Sequence, residues 1–163
     1  MTSLLEKKNF FLCLAGIVIL SAGIPAIALQ PAPAKIVQSA DQLVWQTDYP
    51  AALNQARAEN RRVLLFFTGS DWCSWCRRLN KEILSTPEFA RYSQENLVLV
   101  EVDFPKKRPQ SSTLKAQNAK LAKQYKIEGY PTVIILDSSG KKIDELGYQE
   151  GGPAPFISRL GKL

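Results

Sequence analysis

A single α/β domain, built on a central mixed sheet flanked by helices, is what the sequence predicts, and three observations carry that prediction. Three short apolar runs, residues 63–67, 97–102 and 132–136, are rich in aliphatic side chains and bounded by turn-forming or polar residues, the pattern of buried strands. Segments with helical spacing separate the first strands, which implies parallel crossovers. After the third run, Asp137-Ser138-Ser139-Gly140 is a hairpin turn, so residues 142–146 return antiparallel as an edge strand.

The elements follow in order along 163 residues. Residues 1–28 read as a cleaved export signal, with Lys7 and Lys8 ahead of an apolar stretch and the small-residue site Ala26-Ile27-Ala28. The alternative is a membrane anchor through residues 10–27, although Gly16, Gly23 and Pro25 interrupt a run of marginal length for a span. Either reading places the domain outside the cytoplasm, in an extracytoplasmic or periplasmic compartment. Residues 29–40, with Pro31 and Pro33, form a linker, and the domain occupies residues 41–163. Residues 43–46 form a short strand. Asp48 caps a helix with Pro50 in its first turn, its Leu53 and Ala56 facing inward and Arg57, Glu59 and Arg61 facing water. The strand over 63–67 ends at Thr68-Gly69-Ser70-Asp71, and a helix over 73–84 places Cys76, Leu79 and Ile83 on one face. Thr86 and Pro87 open a second, shorter helix, so the one before it is kinked or broken. Residues 104–112 (FPKKRPQSS) are a basic loop, 113–125 a helix, 147–155 a loop and 156–160 a C-terminal helix.

The chemistry concentrates at Cys73 and Cys76, where the first long strand ends and a helix begins. The free N–H groups and positive dipole end of a first helical turn stabilise a thiolate, the reactive form of cysteine. Arg77 and Arg78 add positive charge nearby. The spacing lets Cys76 reach Cys73 and close a small disulfide ring, so the pair can store and release two electrons. A bridge over so short a loop adds little stability, which favours a redox role. With the export signal removed, no odd thiol remains. The chain has no histidine, which excludes Cys–His and Ser–His–Asp nucleophile pairs. Two thiols fall short of a structural zinc site, so no metal and no cofactor beyond the redox-active pair is expected. The net charge of +6 reads as a solvated basic surface, and export argues against nucleic acid as a partner.

Trp72-Cys73-x-x-Cys76 between strand and helix, Tyr130-Pro131-Thr132 entering a strand, and the βαβ…ββα order together resemble the thioredoxin superfamily over about residues 45–162. GSDWCSWCRRLNKEIL, TPEF and GYPTVIILDSSGK are most similar to its exported, bacterial-envelope disulfide reductases. The resemblance implies the thioredoxin fold, a cis bond before Pro131 facing the cysteines, and a Tyr130 backbone that pairs with extended substrate. It also implies attack by Cys73 on a substrate disulfide and resolution of the mixed disulfide by Cys76. Trp72, Trp75 and Tyr130 are expected to form an apolar collar. Ser74 and Trp75 replace the Gly-Pro of thioredoxin, changing thiolate stability and substrate fit. The buried aspartate of thioredoxin aligns with Phe67 and its lysine partner with Leu99, so proton transfer falls to Glu101, to Asp71 or to water.

The expected function is therefore extracytoplasmic thiol–disulfide exchange. Reduction is favoured over oxidation or isomerisation, because Ser74-Trp75 brings no positive charge to the thiolate. The expected partners are disulfide-containing exported proteins and, as the resemblance implies, a membrane electron donor of the thiol-relay type. A monomer is expected. The alternative is a non-catalytic protein that binds Cu(I) or a client peptide.

Overall fold

The computed structural model describes residues 43–163; the expected export signal (1–28) and linker (29–40) lie outside the described residues, as do 41 and 42. Five strands and five α-helices alternate in the predicted order: β1 (Trp45–Gln46), α1 (Tyr49–Glu59), β2 (Arg62–Thr68), α2 (Ser74–Leu79), α3 (Pro87–Asn96), β3 (Leu97–Asp103), α4 (Ser112–Gln124), β4 (Thr132–Leu136), β5 (Lys142–Leu146) and α5 (Pro153–Leu160). The sheet order is β1-β3-β2-β4-β5. Strands β1 and β2 run parallel to β3, while β4 is antiparallel to β2 and β5 antiparallel to β4.

β2 is the centre of the sheet, and every residue from Val63 to Thr68 is buried. Its alternating side chains supply both cores. Leu64 and Phe66 join Leu99, Val133, Leu79 and both cysteines on one face. Val63, Leu65 and Phe67 join Val100, Ile134, Ala56 and Leu121 on the other. Covering of both faces is why the run is continuously apolar rather than alternating. Burying each such Leu or Phe side chain contributes about 1.5–3 kcal/mol.

The helix ends follow capping chemistry. The Asp48 carboxylate accepts the Ala51 N–H at 3.0 Å, and Asn60 ends α1 in the left-handed region at φ 50°. Thr86 Oγ1 accepts the Phe89 N–H at 3.3 Å and donates to the Ile83 carbonyl at 2.7 Å, joining the end of one helix to the start of the next.

Four details differ from the sequence-based expectation. On α1 Ala52 is fully buried beside Ala56, while Leu53 is partly buried and packs against the same core. Arg61 does not face water: its guanidinium bonds the Ser93 carbonyl at 2.9 Å and also the Leu97 carbonyl, where α3 passes into β3. The helix expected over 73–84 is α-helical only to Leu79 and continues as a π-helical turn, Asn80–Leu84, closed by Ser85 N–H to Asn80 O at 2.7 Å. In a regular α-helix Leu84 would sit about 140° around from Leu79; the wider turn keeps Leu79, Ile83 and Leu84 all in the core. Finally, α5 begins at Pro153, earlier than expected, because proline fits the first helical turn.

Thr86→Ala is expected to lower stability by about 1 kcal/mol, read as a reduced urea midpoint with an unchanged denaturant slope.

Candidate active site

The turn after β2 is set by the Gly69 carbonyl, which accepts N–H groups from Trp72 at 3.1 Å and Cys73 at 2.7 Å. Gly69 is required there by packing: a Cβ would lie 2.3 Å from the Trp72 ring. Cys73 is then the N-cap of α2, and Cys76 sits one turn on. The two form a disulfide with Cα atoms 5.3 Å apart. The Cys76 N–H points at Cys73 Sγ at 3.1 Å, as a helix N-cap acceptor requires. Cys73 is 6% exposed and Cys76 1%, so solvent reaches the first sulfur residue more readily than the second.

Two aromatic groups flank the pair. On one side Trp72, 36% exposed, donates from Nε1 to the Phe104 carbonyl at 2.8 Å. Its ring stands edge-on to Tyr130 at 5.7 Å, and Tyr130 also meets Phe104 at 5.4 Å. Tyr130 packs against the core cluster that contains both cysteines, and the Tyr130–Pro131 peptide bond is cis. Burial raises the pKa of the Tyr130 phenol. On the other side, Ser74 and Trp75 are exposed, and Trp75 lies 5.4 Å from Tyr148. The Arg78 guanidinium sits 5.4 Å from the Trp75 ring and 5.0 Å from that of Tyr148. Glu82 accepts from Arg78 at 2.9 Å and from the Tyr148 hydroxyl at 2.6 Å. Arg78 is therefore bound to its own neighbours rather than to the cysteine sulfurs.

The two proton-transfer candidates are placed differently. Asp71 accepts three loop N–H groups, from Lys106 at 3.0 Å, Lys107 at 2.7 Å and Arg108 at 3.2 Å. The Lys106 N–H is the first cause of its lowered pKa, so Asp71 is a loop anchor held in its ionised form. Glu101 pairs in register with Phe66, beyond the last residue of β3 that β1 covers. It borders a cleft of about 200 Å³ with Asp103, Arg108 and Asn118. Burial first, and then the Asp103 charge, raise its pKa.

Tyr148, Glu82 and Asp103 do not stand out in the sequence. Asp103 is buried and accepts from the Ser70 N–H at 2.9 Å and Ser70 Oγ at 2.6 Å, bracing the turn before Cys73. Its position at the end of an apolar strand is the signal that could have revealed it. No local signal marks Tyr148, which reaches Trp75 only through the fold. Among the described residues no group of three or more His, Cys, Asp or Glu side chains could hold a metal ion. A cleft of about 390 Å³, lined by Val44, Gln46, Arg61 and Leu99 among others, includes no residue of the cysteine site.

Residues 49–158 match the Thioredoxin-like domain family. The disulfide bond reductase DsbH of Chlamydia pneumoniae is 37% identical over 122 residues, covering 75% of this chain and 73% of that protein. Among solved structures, a DsbH oxidoreductase is similar with a TM-score of 0.71 at 36% identity, over 74% of this chain and 83% of its own. A thioredoxin from Thermus thermophilus is similar with a TM-score of 0.56 at 25% identity, over 74% and 85%.

Gly69→Ala is expected to push the Trp72 indole off the Phe104 carbonyl and to cost about 1–3 kcal/mol; tryptophan emission and a denaturation midpoint report the two effects. A raised folded-state pKa at Glu101 means the folded chain favours the neutral acid. The resulting penalty is absent below the unfolded-state value and complete above the folded-state value. Glu101→Gln is therefore expected to stabilise the protein near neutral pH, with the gain vanishing below about pH 4, as checked by thermal melts at both ends of that range.

Proposed function

The chain belongs to the thioredoxin-like family and is a thiol–disulfide oxidoreductase, and from that premise we propose that it reduces disulfides outside the cytoplasm, with Cys73 as the attacking sulfur and Cys76 as the resolving one. The observation that carries the assignment is the asymmetry of the pair. Cys73 is the more exposed, caps α2 and receives the Cys76 N–H at 3.1 Å, whereas Cys76 is almost fully buried. A hydrogen-bond donor aimed at one sulfur favours its thiolate.

In the reduced protein the Cys73 thiolate attacks one sulfur of the substrate disulfide. The second substrate sulfur leaves as a thiolate and takes a proton. Cys76, once deprotonated, attacks Cys73 Sγ, expels the other substrate sulfur and restores the Cys73–Cys76 disulfide. The substrate gains two electrons and two protons. Glu101, held toward its neutral form, and water are the groups that exchange these protons; Asp71 is committed to the loop N–H groups. A membrane donor of the thiol-relay type then returns two electrons to the disulfide.

The reductive direction is supported by what surrounds the sulfurs. A strong oxidant needs its reduced form stabilised. Ser74 and Trp75 bring no cation, and Arg78 is held by Glu82 and the Trp75 and Tyr148 rings. The DsbH relative is a disulfide bond reductase, which points the same way. Substrate is received between exposed Trp72, Ser74 and Trp75, with the Tyr130 backbone and donor-less Pro131 alongside. Disulfide-containing exported proteins are the substrate class, the export signal over residues 1–28 is the address, and the monomer is the working unit.

Cys73→Ser is expected to reduce the rate of insulin-disulfide reduction by at least about a hundredfold, and Cys76→Ser to accumulate a mixed disulfide visible on non-reducing gels. Undiminished activity in Cys73→Ser would exclude this assignment. The potential of the pair is expected near the thioredoxin end of the scale, about −270 mV, rather than the DsbA end, about −120 mV, measured by equilibration with glutathione.

A further inference from the structure

Residues 104–110 carry Lys106, Lys107 and Arg108 in succession, all exposed. A merely solvated loop would need few attachments, yet this one is fastened to the residues immediately before Cys73 at several points. Asp71 takes three of its backbone N–H groups. Trp72 Nε1 holds the Phe104 carbonyl at 2.8 Å. The Arg108 guanidinium bonds Ser70 Oγ and lies 3.4 Å from the Asp103 carboxylate. Lys106 Nζ stands 4.2 Å above the Trp72 ring. The carboxylates at hand are already engaged, Asp71 by backbone N–H groups and Asp103 by Ser70 and Arg108. Among the described residues Lys106 and Lys107 make no ion pair. On the Trp75 flank, by contrast, Arg78 is balanced by Glu82 and Glu150. Lys106 and Lys107 are therefore held, without an ion-pair partner of their own, on the Trp72 side of the disulfide.

We propose that this loop is an electrostatic docking surface for an acidic protein segment that flanks the cysteine of the substrate disulfide. The proposal rests on the reading of Cys73 as the attacking sulfur. A chain that delivers a disulfide to Cys73 passes the Trp72 ring, and Lys106 lies over that ring, so one segment meets the sulfur and the cation together. Exposed charges of this kind add little affinity each but steer encounter and reject like-charged partners, and their effect falls with salt.

The test uses the full chain and three disulfide-linked peptides that differ only in the residues flanking cysteine: Glu, Gln or Lys. Wild type is expected to reduce the Glu peptide about tenfold faster than the Lys peptide in kcat/KM at low salt, with the preference lost at about 0.5 M salt. Lys107→Glu is expected to lower the Glu-peptide value about threefold and raise the Lys-peptide value, with the Gln peptide unchanged. Equal rates for the Glu and Lys peptides in wild type would overturn the docking proposal while leaving the reductase reading intact. Failure to reduce any peptide would overturn both. Sedimentation of wild type, but not Lys107→Glu, with phosphatidylglycerol vesicles, together with no peptide preference, would overturn it in favour of a lipid surface.

Discussion

The corner where β2 gives way to α2 is the constraint on which the rest of the structure depends. β2 is buried on both faces between β3 and β4, so its end is fixed by two cores at once. Gly69 then turns the chain over so short a distance that two successive N–H groups share its carbonyl, and Trp72 covers it too closely for any side chain. Cys73 arrives at the helix cap with little positional freedom, and Cys76 follows one turn later on the core side. Packing of the sheet thereby fixes where the sulfur chemistry occurs.

Around that corner the two flanks are built from the same materials used differently. Each has an exposed tryptophan beside a tyrosine and a cation near the tryptophan ring. On the Trp75 side Arg78 is neutralised by acidic neighbours and locks Trp75 to Tyr148. On the Trp72 side Asp71 binds backbone N–H groups and Asp103 binds Ser70 and Arg108, so Lys106 and Lys107 have no ion-pair partner among the described residues. The cation beside the indole is ion-paired on one flank and not on the other.

Much of this was legible in the sequence because it depends on local chemistry. The strand runs, the caps at Asp48 and Thr86, the hairpin turn after β4 and the placement of Cys73 and Cys76 all follow from neighbours within a few residues. The π turn at Asn80–Leu84 was not legible, because its cause is the core beneath Leu84 rather than the helix's own residues. Arg61 was misread as solvated since the carbonyls it binds belong to α3 and β3, more than thirty positions away. Tyr148 was missed for the same reason, and the loop N–H groups that Asp71 accepts lie more than thirty positions away. Sequence proximity marks the sulfurs; the residues that orient their surroundings come from distant segments.

The margins of the sheet have a bearing on how such a protein survives its own work. A thiol–disulfide oxidoreductase meets sulfurs on other chains, whose exposed backbone can pair with a free strand edge. β1 offers only two residues, and β5 carries Lys142, Asp144 and Glu145, with Asp144 clamped by Arg159 from α5 and Lys142 joined to Glu145. Short or charged borders of this kind discourage a foreign strand from adding on. Such a sheet is a poor template for the addition of another chain.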